Sequence, residues 1–145
     1  MIEPTSYTDI IIRLLVSLAL GAILGFERET KETAAGLRTH SLVAVGATMF
    51  TLASMFFSGP NVDISRIAGQ IVLGIGFIGA GVIYKSKTHV FGLTTAASLW
   101  IAAGLGLLAG IGQFFIAAMG LVIALFVLIG GLYLENKMLH KKKPC

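Results

Sequence analysis

The chain has 145 residues, of which 56% are hydrophobic and 12% charged, and its formal net charge is +4. An ordinary soluble domain carries about 25% charged residues. This composition, with a mean hydropathy of +0.90, therefore indicates a membrane protein without a separate soluble domain. The one cysteine, Cys145, excludes an internal disulfide and a cysteine-ligated metal site.

The first hydrophobic segment is predicted to form a helix from about Thr8 to Phe26. No Lys or Arg precedes Arg13, so the basic start of a cleaved signal peptide is missing, and we expect this helix to stay in the membrane. Small or polar residues recur at every fourth position, which predicts a packing seam along one ridge of the helix. The row consists of Asp9, Arg13, Ser17, Gly21, Gly25 and Glu29. We expect Asp9 and Arg13, one turn apart, to pair in the headgroup region.

The most charged stretch of the chain, 27–40, follows this helix. Alternating acids and bases are typical of a solvated helix end or linker, and Gly36 offers a break before the second helix, with Thr39 or Ser41 as its cap. The alternative is a polar ring at the cytoplasmic border of the membrane that holds an ion. The ring residues are Glu27, Arg28, Glu29, Arg38, Thr39 and His40, of which Glu27 and Glu29 are the candidate metal ligands.

The second segment is predicted from about Ser41 to Phe57. Hydroxyl residues along one side of it, Thr51 and Ser54 among them, are interpreted as a helix-packing face. Turn signals follow at Gly59, Pro60 and Asn61, and we expect Asp63 or Ser65 to cap the next helix.

The third segment, Ser65 to Tyr84, is the most glycine-rich. At about 100° per residue its small residues fall on two faces, and each face implies a neighbouring helix, so we place this helix at the centre of the bundle. Its packing glycines are Gly69, Gly74, Gly76, Gly79 and Gly81. Arg66 and Gln70 lie one turn apart near its outer end, either as an interface anchor or as a functional polar face.

A short basic loop, Lys85 to Gly92, precedes the fourth segment, Leu93 to Leu108. This segment is rich in small residues and is predicted to be buried among larger helices; its candidate functional residues are Thr94, Thr95 and Trp100. The tight link at 109–113 predicts an antiparallel hairpin with the fifth segment, Phe114 to Leu134. That segment carries no charge, gives the strongest spanning signal and is expected to face lipid.

The distribution of charge predicts the topology. With five helices across the membrane and the N-terminus outside, nine Lys and Arg residues fall in the inner segments, and Arg66 alone falls in the outer ones. The predicted fold class is therefore an all-α polytopic integral membrane protein of five transmembrane helices with a cytoplasmic C-terminus. Its transmembrane domain covers 1–134, and a basic cytoplasmic tail covers 135–145.

Four sequence blocks resemble, in order and spacing, the membrane domain of the MgtC/SapB family. They are GFERE (25–29), GLRTHSLVAVGA (36–47), SRIAGQIVLGIGFIGAGVI (65–83) and GLTTAASLWIAAGLG (92–106). The resemblance implies a bacterial inner-membrane protein connected with adaptation to low magnesium, with a regulatory role that includes restraint of the ATP synthase. Family members have also been named as magnesium transporters.

Two functions are therefore open. The first is a regulator, expected as a homodimer in the bilayer, whose small-residue faces dock other membrane helices. The second is an oligomeric transporter or channel for Mg²⁺ or another cation. Motifs of hydrolysis, nucleotide use and structural zinc are missing, so we expect no enzyme, no cofactor besides Mg²⁺ and no nucleic-acid partner. An intramembrane enzyme would need Thr94 or Thr95 beside His40, which we disfavour.

Overall fold

The computed structural model of the chain describes residues 6–57, 63 and 65–139. This part of the chain contains five α-helices: α1 (Tyr7–Thr30), α2 (Leu37–Met55), α3 (Ser65–Val82), α4 (Leu93–Gly110) and α5 (Phe114–Leu139). The all-α prediction is confirmed, and each of the five predicted segments forms a helix. The predicted turn at Gly59, Pro60 and Asn61 lies outside the described residues, as do the end of the basic tail and Cys145.

Four helices in the described ranges are long and apolar enough to cross a membrane: α1, α3, α4 and the stretch Phe114–Leu134 of α5. Helix α2 has 19 residues but is not among them, because Arg38, His40 and several hydroxyl side chains lower its mean hydropathy. The count of five membrane spans therefore stays a prediction. The fold itself is a bundle of long apolar helices.

Helix α2 is held between α1 and α4 by two pairs of glycines. On α1, a Cβ at Gly21 would lie 2.8 Å from the Cβ of Ala44, and a Cβ at Gly25 would lie 2.8 Å from the Cα of Leu37. On α4, Gly106 and Gly110 leave the same kind of space for α2. Small residues four apart let helix backbones approach closely, which is the main source of helix association in lipid. The seam predicted on the first helix is confirmed.

Helix α4 is the central element of the bundle. It contacts each of the other four helices, and 50% of its spanning window is buried, more than in the other candidate spans. Leu99, Ala102 and Leu105 form the core on its sides. Its prediction as a buried helix is confirmed, because its small residues allow close approach on every side.

The central placement predicted for the glycine-rich helix is wrong within this chain. Only Ile75 and Gly79 of α3 are buried. A Cβ at Gly79 would contact Ala96 of α4, whereas Gly69, Gly74, Gly76 and Gly81 have no described atom within 4 Å of a Cβ position. A glycine count cannot distinguish a seam that is filled inside the chain from one that is open at its surface.

Two local features differ from the sequence prediction. Helix α2 begins at Leu37 with Gly36 as its N-cap, so neither Thr39 nor Ser41 caps it. The basic loop contains a short antiparallel hairpin of β1 (Tyr84–Lys85) and β2 (Val90–Phe91). Gly92, with a φ of 86°, ends the hairpin, and a Cβ there would collide with the carbonyl of Val82.

Helix α5 packs on α4 and α1 along one side only. The link of residues 111–113 turns at Gly112, whose φ is 79°, and returns the chain against α4. Ala117 and Leu121 bury their side chains in the core, while Phe115, Phe126 and Val127 are exposed. The exposed apolar side fits a helix surrounded by lipid.

Candidate functional site

The corner between α1 and α2 contains a buried ion pair. Arg28 is 4% exposed and donates to both carboxylate oxygens of Glu27, with Nη2 2.8 Å from Oε1. The backbone carbonyl of Arg28 also accepts hydrogen bonds from Thr33. Such a bidentate pair is geometrically specific, and because both of its residues belong to α1, it fixes the Arg28 side chain at the end of that helix.

Glu29 binds the start of α2. Its Oε2 accepts a hydrogen bond from the N–H of Leu37 at 2.9 Å, one of the donors that a helix N-terminus leaves free. A Cβ at Gly36 would displace this carboxylate from its position at the helix start. Glu29 thus supplies the cap that residues of α2 itself were predicted to supply.

His40 connects this corner to the central helix. Its side chain is fully buried, with Nδ1 2.9 Å from the carbonyl oxygen of Gly36 and Nε2 2.9 Å from Oγ of Ser98. A carbonyl only accepts, so Nδ1 carries a hydrogen, and in the neutral ring Nε2 then accepts from Ser98. Ser98 Oγ also lies 2.8 Å from the carbonyl of Thr95 but has one hydrogen to donate. The two acceptors therefore compete for it.

The predicted polar ring is divided into two groups. Glu27, Arg28, Glu29 and His40 come together around the α1–α2 corner. The remaining two members, Arg38 and Thr39, line a cavity between α2 and α3.

Both candidate metal ligands have protein partners. Glu27 binds Arg28 and Glu29 binds the N–H of Leu37. Within the described residues, no three His, Cys, Asp or Glu side chains form a group able to hold a metal ion.

A second buried cation, Arg13, lies at the opposite end of the bundle. It is 3% exposed, and its Nη1 donates to the carbonyl of Gly110 at 2.6 Å, at the C-terminus of α4. Its Nη2 lies 2.8 Å from Oδ2 of Asp9, which confirms the predicted pair. This contact is an ion pair without hydrogen-bond geometry, and Arg13 Nε has no acceptor among the described residues. Arg13 therefore ties α1 to α4 at this end of the bundle, and the depth of the pair relative to the headgroups stays a prediction.

The cavity between α2 and α3 has a volume of about 670 Å³ and an almost wholly apolar lining. Arg38, Thr39 and Gln70 are its polar residues, and Ala103 of α4 contributes to the lining where α2 and α3 diverge. Gly46 and Gly74 line it from the two helices, and neither has a described atom within 4 Å of a Cβ position. Of the predicted polar pair on α3, Gln70 belongs to this cavity, while Arg66 is exposed outside it.

The candidate residues of α4 are separated from one another. Thr94 is exposed and lines a second cavity of about 600 Å³ between α4 and α5. Thr95 is buried, and Trp100 is exposed. Ser98, rather than either threonine, carries the hydroxyl beside His40. One local signal for Ser98 is its place among the small residues of this segment, but a partner 58 positions away cannot be predicted from one sequence.

These features define an all-α protein with membrane-spanning helices and buried polar contacts at the ends of its bundle. The profile of the MgtC family matches residues 14–137, and the chain belongs to this family.

Curated relatives with the name "Protein MgtC" include those of Salmonella typhimurium and Brucella abortus. The first is 53% identical over 104 residues, which cover 72% of this chain and 44% of the relative. The second is 48% identical over 108 residues, which cover 74% of this chain and 45% of the relative. The chain thus spans less than half the length of these relatives. No solved structure matches it.

Proposed function

We propose that this protein is a regulator in the bacterial inner membrane that serves adaptation to low magnesium by docking the membrane helix of a partner. The relatives' family supports a magnesium-related role. The regulatory mechanism is supported by one observation above all: α3 is apolar enough to span a membrane, and four of its glycines have no described atom within 4 Å of a Cβ position.

The docking face that we propose on α3 is formed by Gly69, Gly76 and Ala80. At about 100° per residue these residues fall within roughly 40° of one another, on the side away from the cavity. Gly69 and Gly76 have open space at their Cβ positions. A second helix can approach the backbone of α3 closely there, as small residues permit in lipid. The partner is a second copy of this chain or, as the family resemblance implies, a subunit of the ATP synthase.

The proposed topology has five spans, with α2 as a span sheltered between α1 and α4 and the N-terminus outside. The polar residues of α2 support this because Thr48 and Thr51 bond to backbone carbonyls and His40 to Gly36 and Ser98. Satisfied polar groups are tolerated at membrane depth. An impermeant maleimide should label Cys145 in lysed cells and leave it unlabelled in intact cells.

The decisive experiment compares Gly76→Leu with Gly130→Leu. Both glycines are helical and open at Cβ, but Gly130 lies on α5. Gly76→Leu should abolish cross-linking to the partner helix and growth in low magnesium, while Gly130→Leu should retain both. Equal behaviour of the two variants would refute docking at this face.

Transport is tested in parallel with purified protein in liposomes. The regulator proposal predicts no Mg²⁺ uptake above that of empty liposomes. Uptake that Glu27→Ala abolishes would establish the transporter instead.

A further inference from the structure

We propose that the cavity between α2 and α3 is a binding site for an anionic phospholipid, with its acyl chain in the apolar groove and its phosphate on Arg38. The groove lies on the face of α3 opposite the docking face, since Gly74 and Gly76 are two positions apart and so point about 160° away from each other around the helix. The inference is independent of the proposed docking.

The length of the groove matches that of an acyl chain. Its α2 wall extends from Arg38 to Phe50, which is about 18 Å at 1.5 Å per residue. One leaflet of hydrocarbon is about 15 Å thick, half of the ~30 Å core. The two lengths agree, so one acyl chain fits along the groove.

Two glycines create this space. Gly46 on α2 and Gly74 on α3 line the groove, and a Cβ on either would meet no described atom within 4 Å. Their neighbours in the wall are apolar, including Leu42, Phe50 and Ile78. An apolar wall of this shape suits hydrocarbon and offers nothing to bind a polar solute along its length.

The charge at one end of the groove selects the headgroup. Arg38 lines that end and is exposed, and the two ion pairs among the described residues, Asp9 with Arg13 and Glu27 with Arg28, do not include it. The nearby carboxylate of Glu29 is bound to a backbone N–H instead. The Arg38 guanidinium has no acidic ion-pair partner among the described residues and lies at the end of the apolar groove. It therefore complements a phosphate in geometry and in charge.

The test measures lipid retained by the purified full chain, by native mass spectrometry after exposure to equal amounts of phosphatidylglycerol and phosphatidylcholine with the same acyl chains. The unsubstituted chain should retain phosphatidylglycerol preferentially. Arg38→Gln should lower that preference about tenfold, the effect of one charged hydrogen bond. Arg66→Gln, which removes an exposed arginine outside the groove, should change nothing. An unchanged preference in Arg38→Gln would overturn the proposal.

The groove itself is tested by filling it. Gly74→Leu and, independently, Gly46→Leu should remove most of the retained lipid of both kinds, while Gly76→Leu retains it. Leucine favours helix over glycine, and circular dichroism verifies folding; if one filled variant fails to fold, the other tests the same space from the facing helix. Unchanged lipid in the folded filled variants overturns the proposal. Conversion of a dimer to a monomer by Gly74→Leu, without lipid loss, also overturns it and assigns the groove to a second copy.

Discussion

Gly106 is the position at which a single methyl group should separate two helices. A Cβ on this residue would lie 2.9 Å from the Cα of Ala44 and closer still to its carbonyl oxygen. That oxygen would be 2.1 Å from the Cβ, and carbon and oxygen atoms approach to about 3.3 Å, so in Gly106→Ala helices α2 and α4 must move apart by about 1.2 Å. That movement also stretches the 2.7 Å hydrogen bond from Thr48 Oγ1 to the carbonyl of Gly106.

The cost of this change follows from the contacts that are lost. Overpacking a tight contact costs about 1–3 kcal/mol, and a weakened hydrogen bond adds up to about 1 kcal/mol. The gain in helix propensity returns about 1 kcal/mol, which leaves Gly106→Ala less stable by up to about 3 kcal/mol. Gly104 provides the control, since its Cβ position on the same helix is open and Gly104→Ala receives only the propensity gain.

The assay is thermal unfolding of the two purified variants in the same detergent. Gly106→Ala should melt several degrees below the unsubstituted chain, and Gly104→Ala at the same temperature or slightly above it. If both variants melt together, the close approach of α2 and α4 at this position is refuted.

Two further predictions concern the ends of the bundle. Arg13→Gln should destabilise the fold by about 2 kcal/mol because it leaves the carbonyl of Gly110 without its charged donor, while Arg66→Gln should be near neutral in the same melting assay. The hydrogen bonds from Ser65 lower the pKa of Asp63. The protection that Asp63 gives the start of α3 should therefore be complete above its unfolded pKa of about 3.9 and disappear as pH falls through its lower folded pKa. Hydrogen exchange of α3 amides measures this, and Asp63→Asn should remove the pH dependence.

The helices could be predicted from the sequence because their signals are local. Uncharged apolar runs identified α4 and α5, and the row that includes Gly21 and Gly25 correctly indicated a seam. Which helix packs against such a seam depends on the tertiary fold, so it could not be predicted from the sequence. The same limit applies to the polar residues at the α1–α2 corner. Glu27 and Arg28 are adjacent in the chain, so their grouping could be predicted. Ser98 contacts His40 only because α4 packs against α2, and that contact could not be predicted.

Most glycines of α3 differ from Gly106 and Gly110 of α4 in whether another helix of the chain contacts them. An interior glycine costs a helix about 0.5–1 kcal/mol relative to alanine, and a close helix contact offsets that cost at Gly106 and Gly110 of α4. At Gly69, Gly74 and Gly76 of α3 no described part of the chain provides such a contact. Exposed leucines or valines would need no explanation in lipid, but glycines on two opposite sides of one helix do. A partner helix on one side and a lipid chain on the other would offset the cost on both.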